Sequence, residues 1–300
     1  SSISASTSAS SESSFLERRP RTPPSSVIVS TVKLITSFEK SPLPVIFLLA
    51  SETISKITEI ASAVLRSSSI AVINSCSVTA ESDRKTRQLL HKVRRQNPDG
   101  IIVLTGCMAQ TLKTDGEELL DADIIVGNTD IKKVFELVEK YKADKKRIIS
   151  LLAHEKDEKF NTPAISEFSE HTRAFMKIQD GCDRYCTYCI IPTARGNIRS
   201  RSLEDIRLEA ENLAKAGFPE VVLVGINLTS FGRDTGYNLC DAVDTVAAVS
   251  GIKRIRLGSL EPDHISDEML DRLSKVDKFC PQFHLSLQSG SDKTLKRIRN

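Results

Sequence analysis

The chain is poor in the residues on which simple nucleic-acid-binding and membrane proteins depend. It has no tryptophan and only four tyrosines among 300 residues, so it lacks the aromatic rings on which a simple RNA-binding module stacks bases. Its longest apolar run, near 45–50, is far shorter than the roughly 20 residues of a transmembrane helix. A net charge of +3 is too small to indicate nucleic-acid binding by itself. We therefore expect no membrane span, and any basic surface must come from local clustering.

Cysteine is absent from residues 1–75, and the chain has seven cysteines in all. A secreted disulfide framework favours a short chain and an even number of cysteines. The distribution indicates instead a reducing, cytoplasmic compartment in which thiols hold metal. Residues 1–14 contain nine serines and a single acid, a composition that fits an organellar transit peptide and equally a disordered tail or a faulty start.

Composition and breaker residues divide the chain into four parts. Residues 1–69 are rich in serine and proline and show no periodicity, so they stay unassigned. Residues 70–145 alternate short apolar runs with helical patterns, which predicts a parallel α/β domain. The charged, irregular stretch 146–170 is the predicted linker. Residues 171–300 repeat the strand–helix alternation, which predicts a (βα) barrel of the TIM-like type.

The last predicted strand of the barrel carries unexpected polarity. Along 283–288 three apolar side chains alternate with His284, Ser286 and Gln288, although strands buried on both faces are normally apolar throughout. The polar row therefore predicts a barrel interior that is lined for a ligand. This strand is about the fourth, so we expect a barrel of six or eight strands to be incomplete here.

The strongest chemical signal is a loop that holds Cys182, Cys186 and Cys189 in CxxxCxxC spacing, just after a predicted strand. Three thiolates can ligate three irons of a [4Fe–4S] cubane and leave the fourth iron open. S-adenosylmethionine can chelate that open iron through its amino and carboxylate groups, and the cluster can then cleave it reductively. The alternative is a zinc site, which favours four ligands in paired CxxC spacing.

Cys76 and Cys107 form a second group of cysteines. They lie 31 residues apart, which is about one strand–helix repeat. Each follows directly on a predicted strand, at the edge of a parallel sheet where ligands bind. Two matching placements indicate a second metal site, which still lacks a third thiolate. The alternative is a pair of small buried hydrophobic side chains, as free cysteines often are.

Basic residues cluster in two places. The predicted helix over 81–96 carries six arginines and lysines, which indicate either a solvated face or contact with an RNA backbone. Arg195, Arg199 and Arg201 follow the cysteine loop directly, so they are better placed to meet a phosphate near the reaction centre.

The sequence resembles a known family, the radical-SAM methylthiotransferases. The resemblance covers about residues 70–300 and rests on AVINSCSVT (71–79), LTGCMAQ (104–110) and GCDRYCTYCIIPTARGNIRSR (181–201). Four further motifs resemble the MtaB branch of that family, and they are HTRAFMKIQDGC (171–182), VGINLTSFG (224–232), IRLGSLEP (255–262) and FHLSLQSGSD (283–292). Members of this branch convert N6-threonylcarbamoyladenosine, next to certain tRNA anticodons, to its 2-methylthio derivative.

The resemblance implies a fold, cofactors and site residues. The family has a flavodoxin-like domain with an auxiliary [4Fe–4S] cluster, then a radical-SAM partial barrel, then an RNA-binding TRAM domain. Cys76 and Cys107 would be auxiliary ligands, and the residues around the nucleoside or the methionine part of S-adenosylmethionine would be Tyr188, Asn227, Glu261 and Gln288. Its partners would be tRNA and an electron donor such as flavodoxin or ferredoxin.

The sequence departs from the family pattern in three respects. The family's first cysteine, in a Leu-Gly-Cys turn, has no counterpart, and Thr193 stands where the branch has an aromatic residue. The last barrel strands and the TRAM domain are missing, so we expect a fragment. Two alternatives remain open. One is a sister activity on isopentenyladenosine in tRNA or on a ribosomal-protein aspartate, and the other is a non-catalytic protein that binds an iron–sulfur cluster or zinc.

Overall fold

The computed structural model describes residues 28–29, 32–35, 45–49, 69–77, 79–112, 121–155, 158–160 and 173–298. The serine-rich residues 1–14 lie outside these ranges, as does the second half of the predicted linker, 161–170. In the described part of the chain two α/β units follow one another, as the strand–helix alternation predicts.

One sheet with seven described strands forms the first unit, and its strands lie side by side in chain order. The second strand pairs antiparallel with both the first and the third, whereas the third to the seventh strands are parallel to one another. The strands are β1 (Ile28–Val29), β2 (Val32–Ile35), β3 (Val45–Leu49), β4 (Ile70–Ser75), β5 (Ile101–Gly106), β6 (Ile124–Val126) and β7 (Ile148–Ser150).

Four of these strands lie where the sequence predicts no regular structure. β1, β2 and β3 fall within the unassigned residues 1–69, and β7 falls within the predicted linker. The sequence shows no strand periodicity at β7, because this strand is only three residues long and lies at the partly exposed edge of the sheet. The sheet therefore extends beyond the predicted domain boundary at 145.

Helices cover both faces of this sheet. They are α1 (Ala80–Gln96), α2 (Cys107–Thr111) and α3 (Val134–Asp144). α1 begins at Thr79, whose side chain accepts a hydrogen bond from the Ser82 amide (3.1 Å) and so satisfies one free donor of the first turn. Alternate residues of β4 point to opposite faces, so Ala71 packs with α1 and α2 while Val72 packs with α3.

The second unit has three parallel strands in the order β12 (Arg254–Leu257), β11 (Glu220–Val224) and β8 (Ala174–Lys177), covered by helices that share one hydrophobic core. A short antiparallel pair, β9 (Gln179–Asp180) and β10 (Arg199–Ser200), and a separate parallel pair, β13 (Ser259–Leu260) and β14 (His284–Leu285), complete it. Its elements are β8 (Ala174–Lys177), β9 (Gln179–Asp180), α4 (Ile191–Arg195), β10 (Arg199–Ser200), α5 (Leu203–Lys215), β11 (Glu220–Val224), α6 (Leu239–Ala247), β12 (Arg254–Leu257), β13 (Ser259–Leu260), α7 (Asp267–Ser274), β14 (His284–Leu285) and α8 (Asp292–Ile298).

The prediction for residues 283–288 needs correction. Only His284 and Leu285 form a strand, and both of them are exposed. Leu287, from the predicted apolar row, is 63% exposed. In the described residues β14 pairs only with β13, so neither of its rows is enclosed in a barrel interior.

Helix length and composition also bear on membranes. Among the helices of the described ranges, none is both long and apolar enough to cross a bilayer.

Candidate functional site

The cysteine loop begins at the carboxyl end of β9, on a backbone conformation that requires glycine. Gly181 has a φ of +74°, and a Cβ at this position would lie 1.8 Å from the Asn197 carbonyl oxygen. The next residue, Cys182, donates its amide hydrogen to the Gly196 carbonyl (3.0 Å), so the start of the loop is held against the end of α4. The loop closes on a turn in which the Cys189 amide donates to the Cys186 carbonyl (2.8 Å).

The surroundings of Cys182 affect its protonation. Burial raises the pKa of the Cys182 thiol, and hydrogen bonds from the Arg184 backbone and the Asn227 side chain offset part of that rise. The Asn227 amide nitrogen lies 3.6 Å from the Cys182 sulfur. Without a bound metal this thiol therefore holds its proton more firmly than an exposed cysteine does.

Two ion pairs fix the residues that directly follow Cys182. Arg184 makes two parallel hydrogen bonds to Asp263, at 2.8 and 3.0 Å, and Arg233 lies 3.4 Å from Asp183. Arg184 and Asp263 are 79 residues apart in sequence. Asp183 and Arg184 are therefore both paired with residues of neighbouring loops in the second unit. The two parallel hydrogen bonds of the Arg184 guanidinium also fix its orientation relative to Asp263.

The donor set of the loop fits an iron–sulfur cubane by its chemistry. Cys182, Cys186 and Cys189 are free and half-buried, and three thiols are what a [4Fe–4S] cluster with one open iron requires. In the described residues, no three cysteine, histidine or carboxylate side chains have converged closely enough to hold one metal ion. These thiols therefore share one loop but do not form a closed metal cage.

The four residues that the resemblance assigns to the cofactor lie around this loop. Tyr188 donates a hydrogen bond to the Gln288 side-chain oxygen, and the Gln288 amide donates to Glu261 (3.4 Å). Gln288 has a φ of +62°, uncommon for a residue other than glycine, and such strain is typical of functional positions. Asn227, the fourth, contacts Cys182 as described above.

Cys76 and Cys107 follow equivalent positions of two neighbouring strands. β4 and β5 are parallel, and Ser75 pairs with Gly106, so each cysteine comes one residue beyond a paired position at the same edge. Gly106 has a φ of +96°, and a Cβ there would lie 2.2 Å from the Ser75 carbonyl oxygen. Cys76 is half-buried and Cys107 is buried.

Arg195 joins the two cysteine regions. Its Nε donates to the Cys107 sulfur (3.1 Å), while its own helix, α4, follows the cysteine loop. Burial by itself would lower the pKa of the Arg195 guanidinium, but its interactions with Cys107, Asp180 and Cys76 outweigh burial and raise it. α4 is also tied to the first unit by the Asn128 side-chain amide, which donates to the Ala194 carbonyl (2.8 Å).

The two other predicted phosphate ligands have partners inside the protein. Arg199 lies 3.2 Å from Glu158 and 3.6 Å from Asp180. Arg201 pairs with Glu209, and both side chains are buried. The Arg201 guanidinium is thus directed into the core, which argues against its predicted contact with a phosphate.

Sequence reasoning missed Lys177, Gln179 and Asp180. Gln179 is fully buried, donates to the carbonyls of Asp180 and Gly181 (both 2.7 Å), and accepts from the Asn227 amide (2.7 Å). Lys177 donates to Asp180 (2.7 Å). The available signal was three polar residues within 177–180, at the end of a strand that is otherwise apolar.

A three-cysteine loop that follows the parallel strand β8 by way of β9, in a chain whose first unit is also α/β, is typical of the radical-SAM class. Family comparison agrees, because the profile of the Radical SAM superfamily matches residues 176–300. A second profile, that of the uncharacterized protein family UPF0004, matches residues 50–127. This second match begins within the stretch that the sequence analysis leaves unassigned.

Curated relatives extend over both units. The chain is 40% identical to "Threonylcarbamoyladenosine tRNA methylthiotransferase MtaB" of Bacillus subtilis, over 77% of this chain and 51% of the relative. It is 39% identical to the protein of the same name from Aquifex aeolicus, over 76% and 55%. It is also 34% identical to "tRNA-2-methylthio-N(6)-dimethylallyladenosine synthase" of Lawsonia intracellularis, over 78% and 55%.

A solved structure with a similar fold is the radical S-adenosylmethionine methyltransferase TsrM of Kitasatospora setae, with a TM-score of 0.55. The match covers 79% of this chain and 52% of that one at 16% identity, so it shows the fold alone. The chain belongs to the radical-SAM methylthiotransferase family, and its cofactors are S-adenosylmethionine and a [4Fe–4S] cluster. It spans about half the length of the curated relatives that it matches.

Proposed function

We propose that this chain is the catalytic part of a tRNA methylthiotransferase that adds a methylthio group to N6-threonylcarbamoyladenosine. The observation that carries this proposal is that α4, the helix that follows the cysteine loop, contacts the other cysteine region, because its Arg195 donates a hydrogen bond to Cys107. A reaction that activates a base carbon and delivers sulfur to it needs both chemistries at one place. The relatives of this name, at 39–40% identity, support the substrate.

Cys182, Cys186 and Cys189 would hold the cluster. When bound, the cluster and S-adenosylmethionine supply radical chemistry that can activate an unreactive C–H bond. Asn227 contacts Cys182 and is itself held by the buried Gln179, so we assign to this pair the orientation of the first ligand. The ion pair between Arg184 and Asp263 keeps the loop on the second unit.

Cys76 and Cys107 would be two ligands of an auxiliary cluster at the edge of the first sheet. Tyr188, Gln288 and Glu261 form a connected group beside the cysteine loop, and we assign to it the nucleoside or methionine part of S-adenosylmethionine. Arg195 and Arg199 border the space between the two units, where the substrate would enter.

Two further proposals concern the cellular compartment and the electron donor. All seven cysteines are free, which suits a reducing, cytoplasmic compartment. The cluster must be reduced before each radical is formed, so we propose that a flavodoxin or ferredoxin is the electron donor.

Nucleoside mass spectrometry of tRNA tests the function. A host that lacks its own enzyme receives the gene for this protein, and we expect the 2-methylthio derivative of threonylcarbamoyladenosine to appear. The Cys186→Ala variant is the matched control and should give none. Methylthiolation of dimethylallyladenosine instead would assign the protein to the sister activity. Modification of a ribosomal protein, with tRNA unchanged, would overturn the proposal.

A further inference from the structure

A cavity of about 350 Å³ lies between the two units, and Arg195, which contacts Cys107, forms part of its lining. The first unit contributes Val72, Asn74, Thr105, Asn128, Thr129 and Ile131, of which Asn74 and Thr105 lie at the carboxyl ends of β4 and β5. The second unit and the segment before it contribute seven residues, six of them titratable side chains that carry charge at neutral pH. These are His154, Glu158, Lys159, Lys177, Asp180, Arg195 and Arg199. The volume is within the range of small-ligand sites.

Positive charge exceeds negative charge in this lining. Four cations, Lys159, Lys177, Arg195 and Arg199, face only two carboxylates, Glu158 and Asp180. The Asp180 carboxylate is shared by three of the cations, at 2.7 Å from Lys177, 3.6 Å from Arg199 and 3.8 Å from Arg195. The two carboxylates balance only part of the positive charge, and a partly desolvated excess of one sign is unfavourable, so the cavity favours a ligand that carries a negative charge.

Lys177 is the cation best placed to receive such a ligand. Arg199 is engaged with both Asp180 and Glu158, and its side chain is only 8% exposed. Among the residues that the structure describes, Lys177 hydrogen-bonds to Asp180 only, and its side chain is 27% exposed. An ammonium group has three donors, which leaves two for a ligand. Arg195 places this end of the cavity next to Cys107.

We propose that the cavity binds the carboxylate of the threonylcarbamoyl group, and that Lys177 determines specificity for it. The inference rests on the proposed function and names the part of the substrate that this cavity recognises. Threonylcarbamoyladenosine carries a free carboxylate and a hydroxyl, whereas the dimethylallyl group is apolar. An apolar group here would desolvate the lining and leave its excess of positive charge unbalanced, so the same residues select against it.

Nucleoside titration tests the inference without requiring catalysis. The chain is titrated by calorimetry with threonylcarbamoyladenosine, with its methyl ester and with dimethylallyladenosine. We expect Lys177→Met to weaken binding of the free acid about tenfold and to leave binding of the ester unchanged, because only the acid offers a charge. Lys177→Arg, which keeps the charge, should bind the acid nearly as well as the wild type. Lys215→Met, at the exposed end of α5, is the control and should change nothing.

Three results would overturn the inference. One is an equal loss of affinity for the acid and the ester, which would mean that the charge is not what is recognised. Another is weaker binding of S-adenosylmethionine alone, which would assign the Lys177 charge to the methionine carboxylate. The third is an unchanged affinity for the acid in a variant whose thermal midpoint matches the wild type. If the wild-type gene also yields no methylthio product in tRNA, the proposed function fails; if it does, only the role of Lys177 fails.

Discussion

The two cysteine regions of this protein are built in different ways. Cys182, Cys186 and Cys189 lie within one loop of eight residues, so their proximity is a matter of local chain length. Cys76 and Cys107 are 31 residues apart and become neighbours only because Ser75 pairs with Gly106 across two strands. The loop site depends on its own turns and clamps, whereas the edge site depends on the register of the sheet. The proximity of the loop cysteines therefore follows from their spacing alone, whereas that of Cys76 and Cys107 is a prediction from strand order that only the register of the sheet can test.

Removal of one loop cysteine should have the largest effect, and this effect should be confined to the loop region. We expect Cys186→Ala to abolish the iron that the loop binds and to eliminate 5′-deoxyadenosine formation after reduction, because a cubane with an open iron needs all three thiolates. Iron content and product yield, measured after anaerobic reconstitution, check this. Cys280→Ala, a half-buried cysteine outside both regions, is the control. Equal product yields from the Cys186→Ala variant and the wild type would refute the assignment.

A glycine with positive φ precedes a cysteine in both regions. Gly181→Ala and Gly106→Ala should each lower the free energy of unfolding by about 1–3 kcal/mol more than Gly217→Ala does, because their added Cβ atoms meet backbone carbonyls. Gly217 also has a positive φ, of +88°, but nothing lies within 4 Å of a Cβ there. Its substitution therefore measures the cost of the backbone conformation without any steric contact. Denaturant unfolding measures the differences. Three equal values would mean that close packing at the cysteine regions adds nothing.

The clamp on the loop should affect one region only. Asp263→Asn weakens the two hydrogen bonds from Arg184 at a partly exposed site, and we expect a loss of about 1 kcal/mol in unfolding free energy. Iron should leave the loop faster in this variant, as chelator competition can measure. Arg207→Gln removes exposed ion pairs on α5 and is the matched control. Iron release as slow as in the wild type would show that the clamp does not hold the loop.

The smallest expected effect concerns pH. Burial raises the pKa of Cys182, so the metal-free folded chain keeps this proton at alkaline pH where the unfolded chain releases it. The unfolded state then binds fewer protons, and the free energy of unfolding falls as the pH rises through that range, while below it the contribution is fully present. Iodoacetamide should alkylate Cys182 more slowly in the folded than in the denatured chain at mildly alkaline pH. Equal rates would contradict the burial of this thiol.

Several features followed from the sequence because they depend on nearby residues. The CxxxCxxC spacing predicted a radical-SAM loop, and the family comparison confirms that class. The helix predicted over 81–96 forms at Ala80–Gln96, since its cap at Thr79 and its end before Pro98 are local signals. The motifs around 71–79 and 104–110 also predicted the family correctly.

Other features escaped prediction because they need partners distant in sequence. β7 is too short to show a period, and it is a strand only because β6 lies beside it. Arg201 follows the cysteine loop in sequence, yet its partner is the buried Glu209. The exposure of His284 and Gln288 contradicts the expectation of an enclosed polar row, since alternation does not reveal which neighbours a strand has.

The sequence by itself determined the class of this protein and the spacing of the three thiols in its cysteine loop, because spacing within a loop is a property of a few consecutive residues. Only the tertiary structure decided that Arg195 contacts Cys107 and that Lys177, Arg195 and Arg199 share Asp180. Charges act through space rather than along the chain, so the excess of cations in the cavity exists only once the two units have packed together.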